Sequence, residues 1–167
     1  MTCSDYCGNH NHKPCVEYIP CFGPVGPAGP TATNQFLSLG SLAGTSTLLT
    51  TRTPINFTTV NASNGTHITA TTPTTTVTLT ALHSYYISYT VNATTTASSS
   101  LTATLLLGGN PVNSNTASNI SGSVVSVSGG TIVTVGSSDK TLQLATTASV
   151  AAVMTLANAD LSIIELL

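Results

Sequence analysis

"HSYYISYTVNA", from His83 to Ala93, decides how this chain is to be read. Tyr85, Ile87, Tyr89 and Val91 recur at every second residue, the period of a strand with one face in a core. The same period continues outward on both sides. In "TVTLTAL", starting at Thr76, Val77 and Leu79 face one way and the threonines the other. Further strands are predicted in "LTATLLL" from Leu101, "SGSVVSVSGG" from Ser121, "TIVTV" from Thr131, "TLQLAT" from Thr141 and "DLSIIELL" from Asp160. Between them, "LGGNP", "SGG", "GSSD" and "NAD" carry turn chemistry, and "TTTASSS", Thr94 to Ser100, reads as a surface loop. Helical periodicity is absent except in the ambiguous "TASVAAVMTLANA", whose β-branched residues favour a strand. Eight to ten short strands at this spacing predict an all-β antiparallel sandwich or barrel.

Composition narrows the function. Of 167 residues only 5% are charged, against ~25% in ordinary soluble domains. Serine and threonine supply the polarity instead, and threonine's branched Cβ suits a pleated sheet. So little charge gives little self-repulsion, which favours close self-association. No apolar run approaches the ~18 residues that span a bilayer, so no membrane partner is expected. The net charge is −2, and the basic residues Lys13, Arg52 and Lys140 are scattered; they form no phosphate-binding patch, and nucleic acid is excluded as a partner. The opening "MTCSDYCGNHNHK" has no apolar h-region, so no cleavable secretory signal is expected.

Catalysis has little to work with. From residue 35 onward the histidines and acids are His67, His83, Asp139, Asp160 and Glu165. "GSLAG" at Gly40 misplaces the serine of a nucleophile elbow, and His83, opening a strand, reads as a solvated or capped histidine. The expectation is a protein that is not an enzyme and needs no cofactor. Asn-x-Ser/Thr sequons at Asn56, Asn61, Asn64, Asn92 and Asn119 are what such a composition produces by chance.

The N-terminal region is different in kind. All four cysteines, Cys3, Cys7, Cys15 and Cys21, fall in residues 1–22, together with His10 and His12. Three chemistries fit: intermolecular disulfides, which we favour, a metal site drawn from Cys3, Cys7, His10, His12 and Cys15, or free thiols. The spacing matches no standard zinc finger. Residues 23–34 follow as a spacer, with Gly23, Gly26 and Gly29 in a Gly-X-Y triplet pattern, and residues 35–167 form the β domain. Glycine at every third residue is what a three-chain collagen helix requires. Nine residues at ~3.1 Å each span about 28 Å, a stiff connector rather than a stalk. The domain closes on "SIIELL", so Leu161, Ile163, Ile164 and Leu166 are expected to be buried in the sheet or against a neighbouring subunit.

A Gly-X-Y stretch followed by "SYYISYTVNATTTASSSLTATLLLGGNPV" and "SGSVVSVSGGTIVTV" resembles the collagen-like BclA-type glycoproteins of Bacillus spore surfaces, over roughly residues 55–167. That resemblance implies a jelly roll of the tumour-necrosis-factor type, a homotrimer, and a place on the spore surface, in the exosporium or an extracellular appendage. The short collagen-like segment and the Cys-rich N-terminus depart from that pattern. They suggest a fibre subunit in which the peptide bearing Val16, Tyr18, Ile19 and Phe22 docks head to tail on the next trimer, with an anchoring protein as a further possible partner. The alternative is a trimeric binding module, such as a fibre tip, adhesin or lectin, anchored by its N-terminus.

Overall fold

Twelve strands, all paired antiparallel, make up the regular structure of the computed structural model, which describes residues 34–42, 46–49 and 51–166. The cysteines, the docking peptide and the collagen-like glycines named above lie outside the described residues. The strands are β1 (Phe36–Leu42), β2 (Ser46–Leu49), β3 (Thr53–Pro54), β4 (Thr59–Asn64), β5 (Ile68–Thr69) and β6 (Val77–Leu79). After them come β7 (Ser84–Thr95), β8 (Ser99–Leu107), β9 (Asn110–Asn119), β10 (Val124–Thr134), β11 (Lys140–Ala148) and β12 (Ala152–Leu166).

They build two sheets. The first runs β10-β7-β12-β1-β4, with β2 beside the start of β12, and the second runs β5-β6-β11-β8-β9, with β3 beside β11. Sequence neighbours are mostly separated in space, and the chain crosses repeatedly from one sheet to the other; this is an antiparallel jelly-roll sandwich. The period-two pattern explains the packing. Tyr85, Ile87, Tyr89 and Val91 of β7 and Leu161 and Ile163 of β12 point inward from the first sheet. Val77, Leu79, Leu101, Leu105, Leu142 and Leu144 meet them from the second, in one continuous core.

Several turn readings are corrected. "LGGNP" is a turn: Gly108 and Gly109 have φ of +57° and +81°, which a two-residue hairpin requires and L side chains resist. "GSSD" lies between β10 and β11 as read. "SGG", in contrast, lies within β10, which joins two predicted strands into one. "NAD" lies within β12, where the register with β7 shifts between Leu156 and Asn158. Much of "TTTASSS" is strand, the ends of β7 and β8 flanking residues 96–98. "TASVAAVMTLANA" is extended, but it breaks at residues 149–151 before β12 begins. Ser and Thr serve both strand and turn, so composition alone placed these boundaries poorly.

Candidate functional site: an apolar row and a His-Glu-His cluster

The outward face of the first sheet carries one feature that a solvated surface does not need. Phe36 pairs with Ile164, Ile164 with Tyr86, and Tyr86 with Ile132. Directly paired residues share a face with their Cβ atoms about 5 Å apart, so these four side chains form a single row across β1, β12, β7 and β10. All four are exposed, Ile132 by 61% and Tyr86 and Ile164 by 42% each. Leu166, 38% exposed, extends the patch one row on, opposite Ser84. The next row is small: Ser38, Ser162, Ser88 and Gly130. On its far side, a shallow pocket of about 120 Å³ is lined by Ser88, Tyr89, Thr90, Asp160 and Ser162.

The closing strand therefore divides by phase. Leu161 and Ile163 are fully buried in the core. Ile164 and Leu166 stand on the opposite face of a central strand, half exposed.

The other phase of β12 leads to the second feature. Glu165 follows Leu161 and Ile163 inward and is only 4% exposed, a carboxylate in an apolar series. Its oxygens are met by two imidazoles: His67 Nδ1 lies 2.7 Å from Oε2 and His83 Nδ1 lies 2.8 Å from Oε1. The two rings face each other with centroids 4.3 Å apart and planes 32° from parallel. His67 sits just ahead of β5 in the second sheet, while His83 leads into β7 of the first, so the cluster spans the two layers at one end of the sandwich.

Local structure fixes each ring. Leu82 adopts φ of +67°, a left-handed conformation unusual for leucine, and its N–H donates to Val135 O at 3.0 Å and to Gly136 O at 2.9 Å. That strained turn delivers His83 to the cluster. The main chain of His67 is held by Thr80, whose N–H donates to His67 O at 2.9 Å. Behind it, the Tyr85 hydroxyl donates to Thr80 O at 3.0 Å and to His67 O at 3.4 Å. Burial and then the Glu165 charge push the Tyr85 phenol up to about 12, so it remains a donor.

His83 is partly exposed with its ring held by Glu165, a partner that the sequence reading did not name. One signal was present: Glu165 shares the inward phase of "LSIIEL", and a buried carboxylate must find donors.

The fold has clear likenesses among solved structures. Murine APRIL superposes with a TM-score of 0.60 at 13% identity, over 79% of this chain and 100% of that one. The globular domain of zebrafish complement 1qA gives 0.56 at 16% identity, over 80% and 96%. The Eiger TNF of S. frugiperda gives 0.57 at 11% identity, over 80% and 94%. The domain is a jelly roll of the TNF and C1q kind. No protein-family model matches the chain, and no curated protein matches it in sequence.

Proposed function

We propose that this chain is a non-enzymatic, self-associating jelly-roll module. Its domains assemble as a homotrimer through the outward face of the first sheet, and the trimers form a structural fibre or appendage on a bacterial spore surface. The carrying observation is the Phe36–Ile164–Tyr86–Ile132 row. Exposed apolar patches bordered by small polar residues mark interaction faces, and Asp160, in the pocket beyond the serine row, is the one charged residue among those described on this face. A second copy of a chain with 5% charged residues meets no repulsion there. Three as the copy number comes from the Gly-X-Y triplets at Gly23, Gly26 and Gly29, which wind only as three chains. The spore-surface role rests on the resemblance to BclA-type proteins, and the fibre rests on the Cys-rich N-terminal peptide.

Sedimentation of the chain starting at Gln35 tests the module. A trimer at micromolar concentration is expected, and Tyr86→Asp with Ile132→Asp is expected to give folded monomers. A wild-type domain that stays monomeric would overturn the proposal. Electron microscopy of the full chain separates the two roles: long polymers support the fibre, whereas a discrete trimer favours the binding module.

A further inference from the structure

We propose that His67, His83 and Glu165 form a site for a divalent transition-metal ion of the zinc class, which fastens the two sheets together at one end of the sandwich. The inference is independent of how the domains associate.

Three observations carry it. First, the donor set is chemically suitable: two imidazole nitrogens and a carboxylate oxygen, all within 4.8 Å of one another, is a ligand set that zinc takes with a fourth position left to water. Second, the donors converge. Both Nδ1 atoms are aimed at the same carboxylate, at 2.7 and 2.8 Å. Metal bonds of about 2.0–2.1 Å at a tetrahedral angle place neighbouring donors about 3.3 Å apart. Rings with side chains 34% and 31% exposed have room to adjust to that spacing. Third, the carboxylate is a buried charge whose ion pairs, among the described residues, are with those two histidines alone. Taking a carboxylate out of water costs several kcal/mol. The two rings lie with centroids 4.3 Å apart against the two oxygens of that carboxylate, so an ion held between them would sit directly against its charge.

The protons balance. A neutral ring that donates to Glu165 does so with its proton on Nδ1. On metal binding that proton moves to Nε2, Nδ1 becomes a ligand, and none is lost from the rings. Half-exposed rings also give the ion a route in from solvent.

The test must keep the N-terminal thiols and histidines from being mistaken for this site. The full chain is prepared with Cys3→Ser, Cys7→Ser, Cys15→Ser and Cys21→Ser and titrated with Zn²⁺ by calorimetry, with melting followed in parallel. One Zn²⁺ per chain is expected, and the melting temperature is expected to rise by about 8 °C at a hundredfold excess over Kd. Adding His83→Gln, or separately His67→Gln, should abolish both effects while the variants still melt cooperatively. Two variants are used because either one alone can lose stability. If Zn²⁺ neither binds nor shifts melting in the four-serine chain, or if binding survives both histidine replacements, the site is wrong.

Discussion

Tyr89 and Gly129 face each other across the β7–β10 ladder, and the missing side chain at 129 gives the tyrosine its room. The ring reaches past the glycine to donate from its hydroxyl to Asn113 Oδ1 at 2.9 Å and to accept from Asn115 Nδ2 at 3.2 Å. A Cβ at 129 would run into the Asn115 Nδ2 first and would lie 2.7 Å from that hydroxyl oxygen. Gly129→Ala is therefore expected to destabilise the domain by about 1–3 kcal/mol, read as a lower urea midpoint. Asn115→Ala, by removing the side chain that lies nearest to the added Cβ, should recover part of the loss in the double variant. The same burial raises the Tyr89 phenol above its ordinary range, with the Asn115 hydrogen bond opposing, and Tyr85 is pushed to about 12. In the unfolded chain both titrate near about 10, so between the two values the unfolded state binds fewer protons than the folded one. The stability these groups contribute is present below about pH 10 and falls as pH climbs toward about 12. Unfolding followed across that interval should show the decline, and Tyr89→Phe should make it shallower. Gly129 and Gly130 were read as a turn because glycine commonly marks one. The use of Gly129 as space for a large ring opposite depends on a cross-strand partner forty residues away, which no local pattern reveals.

At the scale of the strand, β12 shows how far period two carries an argument and where it stops. Alternation correctly placed Tyr85, Ile87, Tyr89, Val91, Val77 and Leu79 in the core. For "LSIIELL" it also separates two neighbours whose fates differ. Ile163 is 1% exposed in the core, whereas Ile164 is 42% exposed on the opposite face. Ile163→Asp buries an unpaired charge and is expected to cost upwards of about 4 kcal/mol, enough to leave little folded protein. Ile164→Asp should instead leave a folded domain whose association is weakened. Circular dichroism melts paired with sedimentation would show the contrast, and equal damage from the two changes would mean that the row is not an interface. The His67–Glu165–His83 cluster was not legible in the same way. Its members are separated by 16 and 82 residues and belong to different strand systems. Only the phase of Glu165 was visible in sequence; its partners come from the crossing of the two sheets.

For the whole molecule, the low charge, the apolar row and the cysteine-rich N-terminal region have to be combined. In the proposed assembly the domain supplies a face for like copies, and residues 1–22 supply the cysteines that the rest of the chain lacks. Deleting residues 1–22 is expected to leave the domains folded and trimeric while abolishing end-to-end assembly. Replacing Cys3, Cys7, Cys15 and Cys21 with serine should still allow polymers, because docking is assigned to the apolar residues Val16, Tyr18, Ile19 and Phe22. Those polymers should come apart in hot detergent, whereas wild-type polymers should need a reductant as well, since a disulfide opens by thiolate attack. A chelator should act elsewhere: it should lower the melting temperature through the His67, His83 and Glu165 site and leave the polymer intact. If a chelator dissolved the wild-type polymer and detergent without reductant did so equally well, the joint would be metal rather than disulfide, with His10 and His12 as its first candidate ligands. If the four-serine chain formed no polymer, the cysteines themselves would be the joint and the docked-peptide arrangement would fail.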